Sequence, residues 1–219
     1  MTPQPGETAA VRPAIFSRGH ILCLVTDRRL CGADQLVGRV EAALRGGVGA
    51  VQLREKDIDG GLLRELAAAL LPVCRRHRAP LLINGRVDVA LAVGADGVHL
   101  PSDSFRVAEA RHLLGPERLI GVSTHAPDEV ASAAAEGADY VAFGPLYETA
   151  SKVRFGPPQG IDRLRRATAA ASLPVLAIGG ITPERVADVL AAGAAGIAVI
   201  SAILASDDPE ASARKFQLA

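Results

Sequence analysis

Short apolar runs alternate along the chain with longer stretches whose apolar residues recur every three to four positions. The runs Ile21 to Thr26, Ala50 to Arg54, Pro80 to Asn84, Gly97 to Leu100, Leu119 to Ser123, Tyr140 to Gly144, Pro174 to Gly179 and Gly196 to Ser201 are short and bounded by turn residues, and they read as buried strands. Between them, Ala33 to Arg45, Gly60 to His77, Phe105 to Leu114, Pro127 to Glu136, Ile161 to Ala171 and Pro183 to Ala192 carry the helical period. Three helix-to-strand joints share one form: Val93-Gly94-Ala95-Asp96-Gly97, Glu136-Gly137-Ala138-Asp139-Tyr140 and Ala192-Gly193-Ala194-Ala195-Gly196. In each, a glycine stands where it can end a helix in the left-handed conformation. A reused βα unit, eight strands and no dinucleotide-type glycine fingerprint predict a single-domain (β/α)8 TIM barrel over residues 20–219, not an open doubly wound sheet. Residues 1–19, with Pro3, Pro5 and Pro13, are expected to be a loose tail.

The chain has 219 residues, 49% of them hydrophobic, which is enough to bury a barrel core. Lys and Arg number 24, as do Asp and Glu, and no basic stripe is interleaved with aromatics, so nucleic acid is not an expected partner. No uncharged apolar run approaches the ~20 residues that cross a bilayer, so no membrane partner is expected either. Cys23, Cys31 and Cys74 form no Cys-x-x-Cys pair and read as reduced thiols of a cytoplasmic protein. A homo-oligomer is compatible with this composition.

The active site of such a barrel lies at the carboxyl ends of its strands. After the second strand, period-two alternation turns Gln52, Arg54 and Lys56 to one side and Leu53 and Glu55 to the other. Two inward cations want either acids at the rim or a bound anion, because an unpaired buried charge is costly. Thr149, Ser151 and Lys152, in the loop after the sixth strand, can donate to phosphate oxygens. Gly179 and Gly180 let backbone N–H groups approach an anion, and with Val199, Ile200 and Ser201 they make the phosphate cup expected of these barrels. His125, just past the fifth strand, is either a packed imidazole or a proton carrier titrating near neutrality. His99 could form a wall of the pocket. The third strand ends in Asn84-Gly85-Arg86, an amide and a cation with no carboxylate.

In order and spacing, Gln52-Leu53-Arg54-Glu55-Lys56, Gly121-Val122-Ser123-Thr124-His125, the Gly144 to Lys152 loop, Ala177-Ile178-Gly179-Gly180-Ile181 and Gly196-Ile197-Ala198-Val199-Ile200-Ser201 resemble the thiamine phosphate synthase superfamily, from about Ile21 to about Arg214. The resemblance implies a choice between two branches. The synthase joins a pyrimidine pyrophosphate to a thiazole phosphate with magnesium; the thiazole tautomerase (TenI-like) branch isomerises the thiazole precursor. The synthase pattern has Asn-Asp-Asp after the third strand and Gly-Gln-Glu-Asp after the fourth. Here those sites read Asn84-Gly85-Arg86 and Pro101-Ser102-Asp103-Ser104, which removes two carboxylates from a hard-cation site.

These departures, together with the likeness of Asn84-Gly85-Arg86-Val87-Asp88, Leu100-Pro101-Ser102-Asp103-Ser104-Phe105 and the Phe143 to Thr149 segment, with its Glu148-Thr149 pair, to the tautomerase branch, make the expected activity that of an isomerase, a metal-independent thiazole tautomerase of thiamine biosynthesis. His125 is implied as its general acid/base, Arg54, Lys56 and Arg86 as partners of the substrate carboxylate, and Asn84 as orienting the ring. No cofactor is expected, magnesium entering only with the synthase alternative, a transferase. A non-catalytic thiazole-phosphate-binding or regulatory protein is a second alternative.

Overall fold

The computed structural model describes residues 19–149 and 157–217. Eight strands, β1 (Ile21–Val25), β2 (Ala50–Leu53), β3 (Leu81–Asn84), β4 (Gly97–Leu100), β5 (Leu119–Thr124), β6 (Tyr140–Phe143), β7 (Val175–Ile178) and β8 (Gly196–Val199), pair in parallel and in chain order, and β8 returns to β1. This is the closed barrel that the run spacing predicts. The helices around it are α1 (Leu36–Arg45), α2 (Gly60–Arg76), α3 (Val87–Val93), α4 (Val107–Leu114), α5 (Pro127–Ala135), α6 (Gly160–Ala170), α7 (Val186–Ala191), α8 (Ser201–Leu204) and α9 (Pro209–Lys215). α9 is not among the helices expected from the sequence. The expected tail lies outside the described residues up to position 18.

Two layers of apolar packing follow from strand alternation. Leu22 and Leu24 face the helices, as do Leu53, Leu81, Ile83, Val141 and Phe143. Ile21, Cys23, Val25, Ala50, Leu82, Leu119, Tyr140, Leu176 and Ala198 fill the barrel interior. Each helix presents a stripe to the outer layer; α2 buries Leu63, Ala67, Leu70, Leu71 and Cys74 at three- and four-residue spacing, and its first turn is capped by Asp59, which accepts the Leu62 N–H at 2.9 Å.

The repeated joint has a structural use. Asp96 accepts the N–H that opens β3, at Leu81, and Asp139 the one at Ile120 near the start of β5, each at 2.8 Å. Backbone donors at strand entrances otherwise lack a partner in the sheet. At the third joint Ala195 does this with its carbonyl, accepting the Ile21 N–H at 3.1 Å.

Candidate functional site

The inward register continues past the strand ends and builds the site. Gln52, Arg54 and Lys56 extend the inner row begun by Ala50, Asn84 extends that of Leu82, and Ile178 that of Leu176. Together with His99, Ser102, Asp103, Ser123, His125, Gly144, Pro145, Gly179 and Ile200 they line a cavity of about 480 Å³ at the mouth of the barrel. The alternating residue Glu55 points the other way. Its carboxylate, almost wholly buried, accepts the Thr26 hydroxyl at 2.6 Å and the Arg28 backbone N–H at 3.0 Å, and pairs with the Arg28 guanidinium at 3.3 Å. Thr26 Oγ1 in turn accepts the Arg54 N–H at 2.9 Å. Glu55 is thereby committed to the residues that follow β1, and the backbone carrying Arg54 is fixed.

On the cavity floor, His99 lies between two hydroxyls, with Nδ1 2.9 Å from Tyr140 Oη and Nε2 2.9 Å from Ser123 Oγ. Loss of hydration, reinforced by the Arg54 charge, pushes the His99 imidazole down to about 3, so it is neutral at physiological pH. Burial raises the Tyr140 phenol well above its ordinary value. Gly121 makes this arrangement sterically accessible, since a Cβ there would come within 2.0 Å of the Tyr140 ring. The sequence reading left Ser123 and Tyr140 out of the site; the signal available was the glycine inside a strand.

His125 sits at the cavity wall with its Nδ1 against the Gly144 carbonyl oxygen, a contact that needs the proton on Nδ1 and leaves Nε2 as the other ring nitrogen. Its backbone N–H donates to Glu129 at 2.6 Å.

A second chamber of about 290 Å³, sharing Ile178, Gly179 and Ile200 with the first, is lined by Glu148, Thr149, Gly180, Ile181, Val199, Ser201 and Ala202. The expected phosphate residues Gly179, Gly180, Val199, Ile200 and Ser201 all meet here. The loop after β6 is stitched to the end of β7 by Leu146 N–H to Ile178 O (2.8 Å) and Tyr147 N–H to Gly179 O (2.9 Å). That closeness requires glycine at both positions. Gly179 has φ +103° and a Cβ there would lie 2.8 Å from Pro145 Cα; Gly180 has φ +66° and one would lie 2.8 Å from the Glu148 carbonyl oxygen. Arg185 braces the same turn, donating to the Gly180 carbonyl at 2.6 Å and stacking 4.2 Å over Tyr147. Ser151 and Lys152 lie outside the described residues.

Arg86 departs from expectation. It lines a neighbouring outer chamber with Lys56, Asn84, Gly85, Asp103 and Ser104, not the main cavity, and its guanidinium bonds Asp88 two residues on, at 2.8 Å for Nε. It is poorly placed to receive a carboxylate lying on the barrel axis. The metal question turns on the same rim. Among the described residues, Asp103 is the one carboxylate lining the main cavity, and no group of three His, Cys, Asp or Glu side chains could hold a metal ion. The donors present, Asn84, Ser102, Asp103 and Ser104 beside Lys56, fit magnesium poorly.

The thiamine monophosphate synthase family profile matches residues 22–203. A thiamine-phosphate synthase of Roseiflexus castenholzii is 45% identical over 211 residues, 96% of this chain and 92% of its own length. One from Chlorobium luteolum is 46% identical over 90% of this chain and 91% of its own. The solved thiamine phosphate pyrophosphorylase of Pyrococcus furiosus superposes with a TM-score of 0.83 at 34% identity, covering 90% of this chain and 94% of that one. These relatives correct the expectation of an isomerase, a thiazole tautomerase. That expectation rested on the departures at 85 and 104 and on the likeness of three short segments, 84–88, 100–105 and 143–149, to the tautomerase branch, whereas similarity to proteins named as synthases extends over nearly the whole chain. Physically, too, a pyrophosphate brings its own oxygens to a cation, so loss of protein carboxylates does not by itself change the reaction.

Proposed function

We propose, on the premise that the chain belongs to the thiamine monophosphate synthase family, that it is a transferase joining a hydroxymethylpyrimidine pyrophosphate to a thiazole phosphate. The observation that carries this reading is a pair of adjoining chambers with different anion-binding chemistry. Arg54 and Lys56 supply charge on one side, and the glycine turn at 179–180 with Ser201 supplies a backbone-lined cup on the other. Two substrates that each carry phosphate need two such places.

In the coupling, the bond from the pyrimidine methylene carbon to the pyrophosphate oxygen breaks, and its electron pair leaves on pyrophosphate. The thiazole ring nitrogen supplies the pair for the new C–N bond. No proton need be transferred, so this reaction assigns no acid/base step to His125; its bond to Gly144 suits it to hold the loop after β6 against the thiazole end. Arg54 and Lys56 stabilise charge accumulating on the leaving pyrophosphate, where preorganised cations in a partly dry site act most strongly. Gln52, Asn84 and Ser123 supply hydrogen bonds to the two rings and their phosphates, and Thr149 stands at the phosphate cup. Magnesium would neutralise the departing pyrophosphate, but with the donors present no step is assigned to it. Thiamine biosynthesis uses small soluble phosphates, and no described helix is long and apolar enough to cross a membrane.

The test is direct: purified protein is given both substrates, with and without added magnesium, and thiamine phosphate and pyrophosphate are quantified. Equal amounts of both products are expected. Binding of both substrates without formation of either product would overturn the reading.

A further inference from the structure

Both glycine carbonyls of the 179–180 turn are held from outside the second chamber. Gly179 O accepts the Tyr147 N–H at 2.9 Å, and Gly180 O accepts from Arg185 Nη1 at 2.6 Å. A trans peptide is planar, with its C=O and the N–H that follows on opposite edges, so a bond that fixes one aims the other. The amides aimed in this way are those of Gly180 and Ile181. Neither N–H has a hydrogen-bond partner among the described residues, and both residues line the chamber, whereas Arg185 and Tyr147 do not. A glycine with φ +66°, as at 180, leaves the next peptide plane free to flip unless another contact pins it. Arg185 is that contact. Its guanidinium lies 4.2 Å over the Tyr147 ring, which fixes the plane of the fork and the direction of its donors.

We propose that Arg185 is a positioning residue of the phosphate cup: bonded to the Gly180 carbonyl outside, it turns the Ile181 N–H toward a phosphate group inside. A second effect acts through the same peptide. A cation on the carbonyl oxygen draws electron density from the amide, so its N–H becomes a stronger donor. Arg185 itself touches no ligand in this scheme; the Ile181 amide does. Tyr147 serves both ends, since its backbone N–H holds Gly179 and its ring carries the guanidinium that holds Gly180. Only the molecule that brings the phosphate rests on the synthase reading; the aiming of the amide rests on the bonds around the turn.

NMR of the full chain labelled with nitrogen-15 isoleucine follows the Ile181 amide, assigned by its disappearance in Ile181→Val, while inorganic phosphate is added. In the wild type its proton is expected to move downfield as a hydrogen bond to phosphate forms. An Ile181 amide that phosphate leaves in place overturns the proposal, whether or not any variant folds. Arg185→Gln is expected to shrink that shift at saturation and to weaken phosphate about tenfold, the worth of one hydrogen bond. Salt separates an aimed amide from a mere charge. Between about 0.1 M and about 1 M salt the screening length falls from about 10 Å to about 3 Å, so a long-range charge effect fades while a contact persists. The ratio of the two Kd values is expected to hold across that range. A ratio that collapses toward one at high salt makes Arg185 a charge alone and overturns the proposal. Tyr147→Leu keeps the charge and removes its platform; it is expected to weaken phosphate about threefold, and unchanged binding there counts against the proposal equally. Failure of the coupling assay with the amide shift and the constant ratio intact would sink the synthase reading alone.

Discussion

The Thr26 hydroxyl donates to a Glu55 carboxylate oxygen at 2.6 Å, tying the end of β1 to the residue between the two cations of β2. Glu55 is buried, and Arg28 keeps a second partner in Asp57 at 2.6 Å. Glu55→Ala strands the buried Thr26 hydroxyl and the Arg28 backbone N–H while Arg28 keeps Asp57, so stability is expected to fall by about 2 kcal/mol. Affinity for inorganic pyrophosphate should fall with it, because the Arg54 backbone is anchored through Thr26. Urea unfolding measures the first effect and calorimetry the second. A loss below about 1 kcal/mol, the scale of a surface pair, would mean that the lock is not structural.

His99 makes stability depend on acid. Its folded imidazole is pushed down to about 3 from an ordinary 6.5. The unfolded chain therefore takes up a proton near pH 6.5 that the folded one refuses, and a depressed group stabilises fully above its unfolded value. Stability is lost as pH falls from about 6.5 toward about 3, by up to about 1.4 kcal/mol per pH unit. His99→Gln should flatten the slope of urea midpoint against pH below 6.5 by that amount. Parallel slopes for the two proteins would show that His99 is not held neutral.

Alternation alone made the strand order, the barrel and the inner row Gln52, Arg54 and Lys56 legible, because a buried strand cannot slip by one residue without inverting both faces. Tyr140 was hidden, since it opens its strand, and its place beside His99 depends on strand pairing: His99 to Gly121 and Gly121 to Tyr140 are set by the register of three neighbouring strands. Arg86 was misplaced because a pairing two residues along, made as the chain turns into α3, leaves no periodic trace. The reaction was misread at Gly85 and Ser104, and at the short segments around them and at 143–149 that resemble the tautomerase branch. Two ligand positions report how a cation is held and carry little information about which bond is made.

Gly179 separates steric need from ligand contact. A methyl group there meets Pro145 Cα at 2.8 Å with φ at +103°. Gly94 provides the control, having φ +69° with nothing within 4 Å of a new Cβ. Gly94→Ala should lose about 1 kcal/mol from backbone strain alone. Gly179→Ala should lose about 2–3 kcal/mol and bind inorganic phosphate more than about tenfold more weakly, since the cup cannot close on the loop after β6. Thermal melts and phosphate titration distinguish the two. Equal destabilisation of both variants, with phosphate affinity unchanged in Gly179→Ala, would take the turn out of the ligand site.

Of the acids lining the outer rim chamber, Glu55 and Glu109 are paired with Arg28 and Arg106, which predicts weak cation binding by the protein alone. Asp103 and Ser104 border one chamber with Asn84 and Gly85, and the nearest atoms to a Cβ built at Gly85 are 3.6 Å away, so the rim is uncrowded. Magnesium is normally held through one or two carboxylates with phosphates and water completing its shell. Ser104→Asp adds a carboxylate beside Asp103 in a chamber whose other acids, Glu55 and Glu109, are paired with Arg28 and Arg106. Manganese binding, followed by electron paramagnetic resonance without substrate, is expected to tighten at least about tenfold in Ser104→Asp, the gain of one charged ligand near 1.4 kcal/mol. Adding inorganic pyrophosphate should narrow the gap, because its oxygens then supply what the wild-type rim lacks. Tight manganese binding by the wild type alone would show that the described side chains already complete a metal site.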